Sequence, residues 1–344
     1  MKIHLPNNAS ILISRTDSIG DVILTIPITY ALKKLYPANK IIFLCSNYTK
    51  PILDLIQTID YTISVEELQT FTKSEQHQFV IKHNFHTSII VFPSYSISKL
   101  IYSLKIPYRI STSHRWYNWL YCNQKVSFSR KKSDLHEAQL NFKLLQPLGI
   151  QKIPTIEELT NYYIWKPIPP LPKHLSQLLN PDKFKLIIHP KSKGSAREWG
   201  IQNYINLIKI LDKSKFQIII TGTKQEEKFL EPIIKECPEV LNLAGKTSLE
   251  ELISLINACD ALIAASTGTL HIAATLGKHA IGLFPSIRPM HAGRWAPIGK
   301  HTYILHQNKF CNDCKNNPEL CHCIQSISTY HVADILNSIL LKNE

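Results

Sequence analysis

Short apolar runs alternate with amphipathic stretches along this chain. Ile11-Leu12-Ile13 is the kind of run that suits a strand buried on both faces of a parallel sheet. Apolar positions at Val22, Leu24, Ile26, Leu32 and Leu35 predict a helix over residues 19–35, kinked at Pro27 and ended before Pro37. Strands are predicted over 41–44 and 88–92. The second half repeats the pattern more cleanly. Strands over 185–190, 217–220, 261–264 and 280–284 alternate with helices over 201–211, from near Lys224 and over 270–276. Ser248 and Glu251 have the spacing of a capping box that opens one more helix. Strands alternating with helices give parallel sheets covered on both faces.

Pro154, Pro167, Pro169, Pro170 and Pro172 interrupt the alternation and read as an extended linker. The expected organisation is α/β, with two Rossmann-like domains over 1–165 and 166–325 whose sheets face across a cleft. A last amphipathic stretch within 326–344 predicts a helix, expected to pack back on the N-terminal domain. The 344 residues and 44% hydrophobic content suit two cores better than one.

Charge changes the picture of the partners. Lys and Arg number 39 against 26 Asp and Glu, a formal net charge of +13. Such an excess suits a phosphate-rich polymer, an anionic membrane surface or an acidic glycolipid. It is concentrated. From Gln76 to Ser133 there is no acid, while Lys82, Lys99, Lys105, Arg109, Arg115, Lys125, Arg130, Lys131 and Lys132 are interleaved with Tyr95, Tyr102, Tyr108, Trp116, Tyr117 and Trp119. That pattern suits single-stranded nucleic acid and equally an anionic acceptor at a bilayer. No signal-peptide layout and no apolar run long enough to span a bilayer is visible, so a cytoplasmic address is expected, peripheral on the membrane.

Three loops follow predicted strands and precede helices, where open α/β sheets bind ligands. The first holds Arg15, Ser18, Gly20 and Asp21. Gly20 permits close approach, and Asp21 offers a carboxylate at a helix start; a dipole-matched surface acid is the plainer alternative. The second is His189-Pro190-Lys191-Ser192-Lys193-Gly194-Ser195-Ala196-Arg197, with cations and hydroxyls for a phosphate, or simply a solvated basic loop. In the third, Ser266-Thr267-Gly268-Thr269-Leu270-His271, backbone N–H groups would cradle a diphosphate. A capped turn with a packed histidine remains the alternative.

Eight cysteines are present. Cys45, Cys122, Cys237 and Cys259 are scattered and read as free thiols. Cys311, Cys314, Cys321 and Cys323 could hold one structural zinc; free thiols and disulfides stay open.

Taken in order, these loops resemble those of the heptosyltransferases of glycosyltransferase family 9. The resemblance rests on Ser18-Ile19-Gly20-Asp21-Val22 with Thr25-Ile26-Pro27, His189-Pro190 to Arg197-Glu198-Trp199, Leu243 to Leu249, Thr267 to Ala274, Phe284-Pro285 and Arg294 to Gly299. It implies a GT-B fold and inverting transfer of a heptose or related sugar from ADP-heptose to the Kdo or heptose of a lipopolysaccharide inner core. It implies Asp21 as general base and Lys191, Ser192 and Arg197 as donor-phosphate contacts. Thr247, with Thr223 and Glu226 more loosely, falls to the nucleoside, and Ser266, Thr267, Gly268 and His271 to the diphosphate. Arg15, Ser18, Gly20, Arg109 and Arg115 fall to the acceptor side. No catalytic metal is implied, and no nucleic-acid partner.

One departure stands out. The family pattern has Asp-Thr-Gly where this chain has Ser266-Thr267-Gly268. Ser266 donates and accepts but carries no charge. An altered donor, or a non-catalytic protein that binds an anionic glycolipid, is therefore the alternative reading, with a nucleic-acid-binding protein as a third.

Overall fold

Strands Ser10–Ser14 (β1), Lys40–Cys45 (β2), Tyr61–Ser64 (β3), Phe85–Ile90 (β4), Tyr108–Thr112 (β5) and Gln124–Val126 (β6) form a first sheet in the order β3-β2-β1-β4-β5-β6. Strands Phe184–His189 (β7), Phe216–Ile220 (β8), Leu241–Asn242 (β9), Ala261–Ala265 (β10), His279–Leu283 (β11) and Thr302–Leu305 (β12) form a second, in the order β12-β11-β10-β7-β8-β9. All their pairings are parallel. Counted from its own first strand, each sheet therefore runs 3-2-1-4-5-6, the doubly wound order. This computed structural model describes residues 2–130, 132–194, 196–307 and 321–343. The chain divides into two compact units, Met1–Pro167 and Ile168–Glu344.

Strands β1 and β10 are buried along their whole length, and β4 and β7 over all but their second residue, as the central apolar runs require. The order in which strands are added reverses between β1 and β4 in the first sheet and between β7 and β10 in the second. These switch points leave a crevice at the carboxyl ends of the strands. The loop with Asp21 follows β1; the loops with Lys191 and Thr267 follow β7 and β10.

One expectation is corrected. The helix over 19–35 is two helices, Ile19–Ile23 and Pro27–Leu35. Pro27 does not kink a continuous helix; it starts the second one, where its missing N–H costs nothing. The last helix, Thr329–Asn343, falls within the second unit. Val332, Ala333, Leu336 and Ile339 share a face and are buried in one core with Trp199, Tyr204 and Leu207. Trp199 Nε1 also donates to Ile327 O at 2.9 Å, tying down the approach to this helix.

The scattered cysteines are buried among apolar neighbours. Cys321 and Cys323 are buried with their sulfurs 3.5 Å apart. Cys311 and Cys314 lie outside the described residues, as do Lys131 and Ser195. Among the described residues no helix is long and apolar enough to cross a membrane.

Candidate functional site

Asp21 sits in the first turn of the Ile19–Ile23 helix, just past β1. Arg15 Nη2 and Ser18 Oγ donate to its two carboxylate oxygens. Ser18 is the N-cap residue, yet its hydroxyl makes no capping bond and serves Asp21 instead. Gly20 takes an ordinary helical place, its carbonyl accepting from Leu24 N–H at 2.9 Å.

Arg15 is only 2% exposed. Its Nε donates to Asp17 at 2.6 Å and its Nη1 to Glu137 Oε1 at 3.3 Å, and its guanidinium lies 5.2 Å from the Phe92 ring centre. Burial works against its charge, but Asp21, Asp17 and Glu137 outweigh burial and raise its pKa above the usual guanidinium value. Burial, with Asp21 adding to it, pushes the Asp17 carboxyl up against the pull of Arg15.

Glu137 is 1% exposed and opens the Glu137–Phe142 helix. Its Oε1 also accepts from Arg130 Nε at 2.9 Å. Arg130 Nη2 donates to Asn141 Oδ1 at 3.2 Å; Asn141 Nδ2 donates to Thr25 Oγ1 at 3.4 Å; Thr25 Oγ1 donates to Asp21 O at 2.8 Å. The bonds close a ring from the Asp21 carboxylate through Arg15, Glu137, Arg130, Asn141 and Thr25 to the Asp21 carbonyl. Both ends of one residue are thus fixed by one buried network, the condition for holding a reactive carboxylate in a single orientation. Sequence reasoning did not single out Glu137, Arg130 or Asn141 for this role. The available signal was His136-Glu137 at a helix start soon after the acid-free stretch.

Of the other acceptor-side candidates, Arg109 lies in β5 and Arg115 just before the Trp116–Tyr121 helix. Arg109 Nε donates to Tyr121 O at 2.7 Å, its Nη1 donates to Ile106 O, and its guanidinium stacks 5.2 Å over Tyr102. It secures the turns around β5. Arg115 is exposed and precedes the Trp116–Tyr121 helix.

In the second unit, loops from the adjacent strands β10, β7 and β8 come together. Lys191 pairs with Glu198 and lies 5.0 Å over the Phe229 ring. The Ser192 N–H and hydroxyl both donate to Glu198 Oε1 at 3.1 Å. Glu198 thus braces the loop from inside, and an ammonium with three donors still has capacity for a second anion. Arg197 is buried. Glu226 Oε2 accepts from Thr223 N–H at 2.8 Å and from its hydroxyl at 2.9 Å, while Oε1 accepts from Lys193 N–H at 3.1 Å. Thr223 and Glu226 thus cap a turn and clamp the β7 and β8 loops together. Burial opposes the Glu226 charge, but these bonds and His189 hold its carboxyl below the usual range. His189 Nδ1 lies 2.9 Å from Thr221 Oγ1, and burial pushes its pKa down to about 4, so this imidazole is neutral.

Thr267 is the N-cap residue of the Gly268–Thr275 helix, and its side chain makes no capping bond. Its hydroxyl lies 2.9 Å from Thr269 Oγ1. The N-cap side chain thus leaves the N–H groups of this helix start open to an anion. Ser266 is half-buried beside them and His271 is buried on the same helix. Thr247 is half-buried, next to Ser248 and Glu251, which form a capping box.

The model of glycosyltransferase family 9 (heptosyltransferase) matches residues 82–324, well over half of the chain. The chain belongs to glycosyltransferase family 9. Lipopolysaccharide heptosyltransferase 3 of Escherichia coli K12 is 28% identical over 283 residues, covering 77% of this chain and 79% of that protein. The solved glycosyl transferase family 9 structure from Veillonella parvula superposes with a TM-score of 0.79 at 16% identity, covering 98% of both chains. The E. coli ADP-heptose lipopolysaccharide heptosyltransferase II superposes with a TM-score of 0.76 at 18% identity, covering 97% of this chain and 99% of that one. At these identities the structural likeness shows the GT-B fold, and membership of family 9 makes the chain a glycosyltransferase.

Proposed function

We propose that this family 9 enzyme transfers a heptose, or a closely related sugar, with inversion from ADP-heptose to a Kdo or heptose of a lipopolysaccharide inner core, working at the cytoplasmic face of the inner membrane. The observation that carries the reading is the Asp21 carboxylate, held by Arg15 and Ser18 at the switch point of its sheet. Each of its oxygens keeps a lone pair beyond the bond it already accepts. Asp21 takes the proton of the acceptor hydroxyl as that oxygen bonds to the anomeric carbon, and the bond from that carbon to the diphosphate oxygen breaks with its electron pair. Lys191, Arg197 and the N–H groups at Gly268 meet the charge that develops on the leaving ADP, in the role a divalent metal has in other sugar transferases. Thr223, Glu226 and Thr247 border the nucleoside.

Ser266 favours a second reading, a donor whose sugar differs from heptose, because an uncharged hydroxyl stands where a carboxylate would select sugar hydroxyls. The two readings separate in one experiment: turnover of ADP-heptose and of other nucleotide sugars on a Kdo–lipid A acceptor. Product from ADP-heptose supports the first reading. Product from another sugar nucleotide alone supports the second. No product from any donor removes both.

A further inference from the structure

The acid-free stretch builds a patch that the transfer chemistry does not account for. On the Tyr95–Ser103 helix, Tyr95, Lys99 and Tyr102 are spaced four and three apart and exposed. On the Trp116–Tyr121 helix, Trp116, Trp119 and Leu120 have the same kind of spacing, and Trp116 is 67% and Trp119 63% exposed. The two helices meet through their rings: Tyr95 and Trp116 are 6.0 Å apart, and Tyr102 and Tyr121 5.4 Å. Cations line the same surface. Lys99 lies 5.9 Å over Tyr95 and Lys125 4.8 Å over Trp119. The patch is tied to the Asp21 site: Tyr117 Oη donates to Pro93 O at 2.7 Å, and the ring of the adjoining Phe92 packs against Arg15, which holds Asp21.

Large exposed aromatics cost a protein solubility and mark a surface that is covered in use. Trp and Tyr beside Lys, with no acid in the segment, match the headgroup layer of an anionic bilayer: indole and phenol rings sit at that depth, and the cations meet lipid phosphates. We propose that the Tyr95–Ser103 and Trp116–Tyr121 helices form the surface by which this protein docks on an anionic membrane, presenting a lipid-anchored acceptor to Asp21. The inference rests on the reading above that the acceptor is a glycolipid. It differs from single-strand nucleic-acid binding in that Leu120 has no base-stacking role, yet shares the exposed face with Trp116.

The test is co-sedimentation of the full chain with vesicles of phosphatidylglycerol and phosphatidylethanolamine, and with vesicles of phosphatidylcholine alone, without donor or acceptor. The wild type is expected to bind the anionic vesicles, to release them as salt rises, and to leave phosphatidylcholine largely unbound. A Trp116→Ser, Trp119→Ser, Leu120→Ser variant is expected to bind at least about tenfold more weakly, since withdrawing even one large apolar side chain from burial is worth that factor. Should the triple variant melt early, Lys99→Glu with Lys125→Glu replaces it and is expected to lose anionic vesicles to a similar extent. Equal vesicle binding by wild type and a folded variant overturns the proposal. So does tighter binding of a single-stranded oligonucleotide than of vesicles. Vesicle binding needs no turnover, so a missing transferase activity and a missing membrane surface give different results.

Discussion

Arg15 Nη1 lies 3.3 Å from Glu137 Oε1, on the guanidinium whose other nitrogens hold Asp17 and Asp21. The two residues are 122 positions apart. Their contact joins the loop after β1 to a helix that follows the first sheet, and makes the orientation of Asp21 depend on a carboxylate that never meets solvent.

Removing that carboxylate leaves two guanidinium groups around a buried gap. Glu137→Ala is expected to lower stability by about 3–5 kcal/mol, the range for breaking a buried ion pair from one side. Glu137→Gln keeps an acceptor for Arg15 and is expected to lose less. Urea unfolding of both variants checks the order. In the folded Gln variant kcat is expected to fall while the stabilisation by ADP stays, because the loops proposed to hold the nucleotide belong to the other unit.

Stability should fall in mild acid on account of His189. Its pKa in the fold is about 4 against an ordinary 6.5, so between those values the unfolded chain binds the extra proton. The stabilising neutral form is fully present above about pH 6.5 and its advantage is lost as pH falls towards 4, up to roughly 3 kcal/mol. Glu226, with its carboxyl held low, acts in the same direction at still lower pH. Melting temperatures of wild type and His189→Gln across pH 4–8 check this: the variant should show the shallower decline above pH 4.5.

Much of this organisation was legible in the chain, and the reason is local. β1, β7 and β10 are built on the apolar runs Ile11-Leu12-Ile13, Leu186-Ile187-Ile188 and Ala261 to Ala265, and the loops after them carry the residues whose types suggest phosphate and proton chemistry. β3, β5 and β6 escaped because they are short and outlying in the sheet, with polar residues such as Thr62, Arg109, Ser111 and Lys125 in them. The ring through Glu137, Arg130 and Asn141 escaped for a different reason: its members are distant in sequence, and only the fold brings them together. Arg109 shows the converse. Its place in a basic stretch suggested an anion, and nothing in that stretch announced that its guanidinium also holds backbone carbonyls.

Gly299 closes the last motif of the second unit. A Cβ there would press on the Ala274 carbonyl oxygen and stand 2.8 Å from its carbon, near the end of the Gly268–Thr275 helix. Backbone cannot yield as a flexible side chain does, so Gly299→Ala is expected to cost about 1–3 kcal/mol. It should also raise the donor KM, by shifting the helix whose start is proposed to meet the diphosphate. Thermal melts and donor titrations check both effects.

The proposed transfer depends above all on Asp21 as the base. The most direct measurement is kcat for sugar transfer from the accepted nucleotide donor by wild type and Asp21→Ala, with ADP affinity measured alongside. The account predicts a fall in kcat of about 10²–10⁴, the usual contribution of general-base catalysis, with ADP affinity unchanged. An undiminished kcat in a folded Asp21→Ala variant would contradict it.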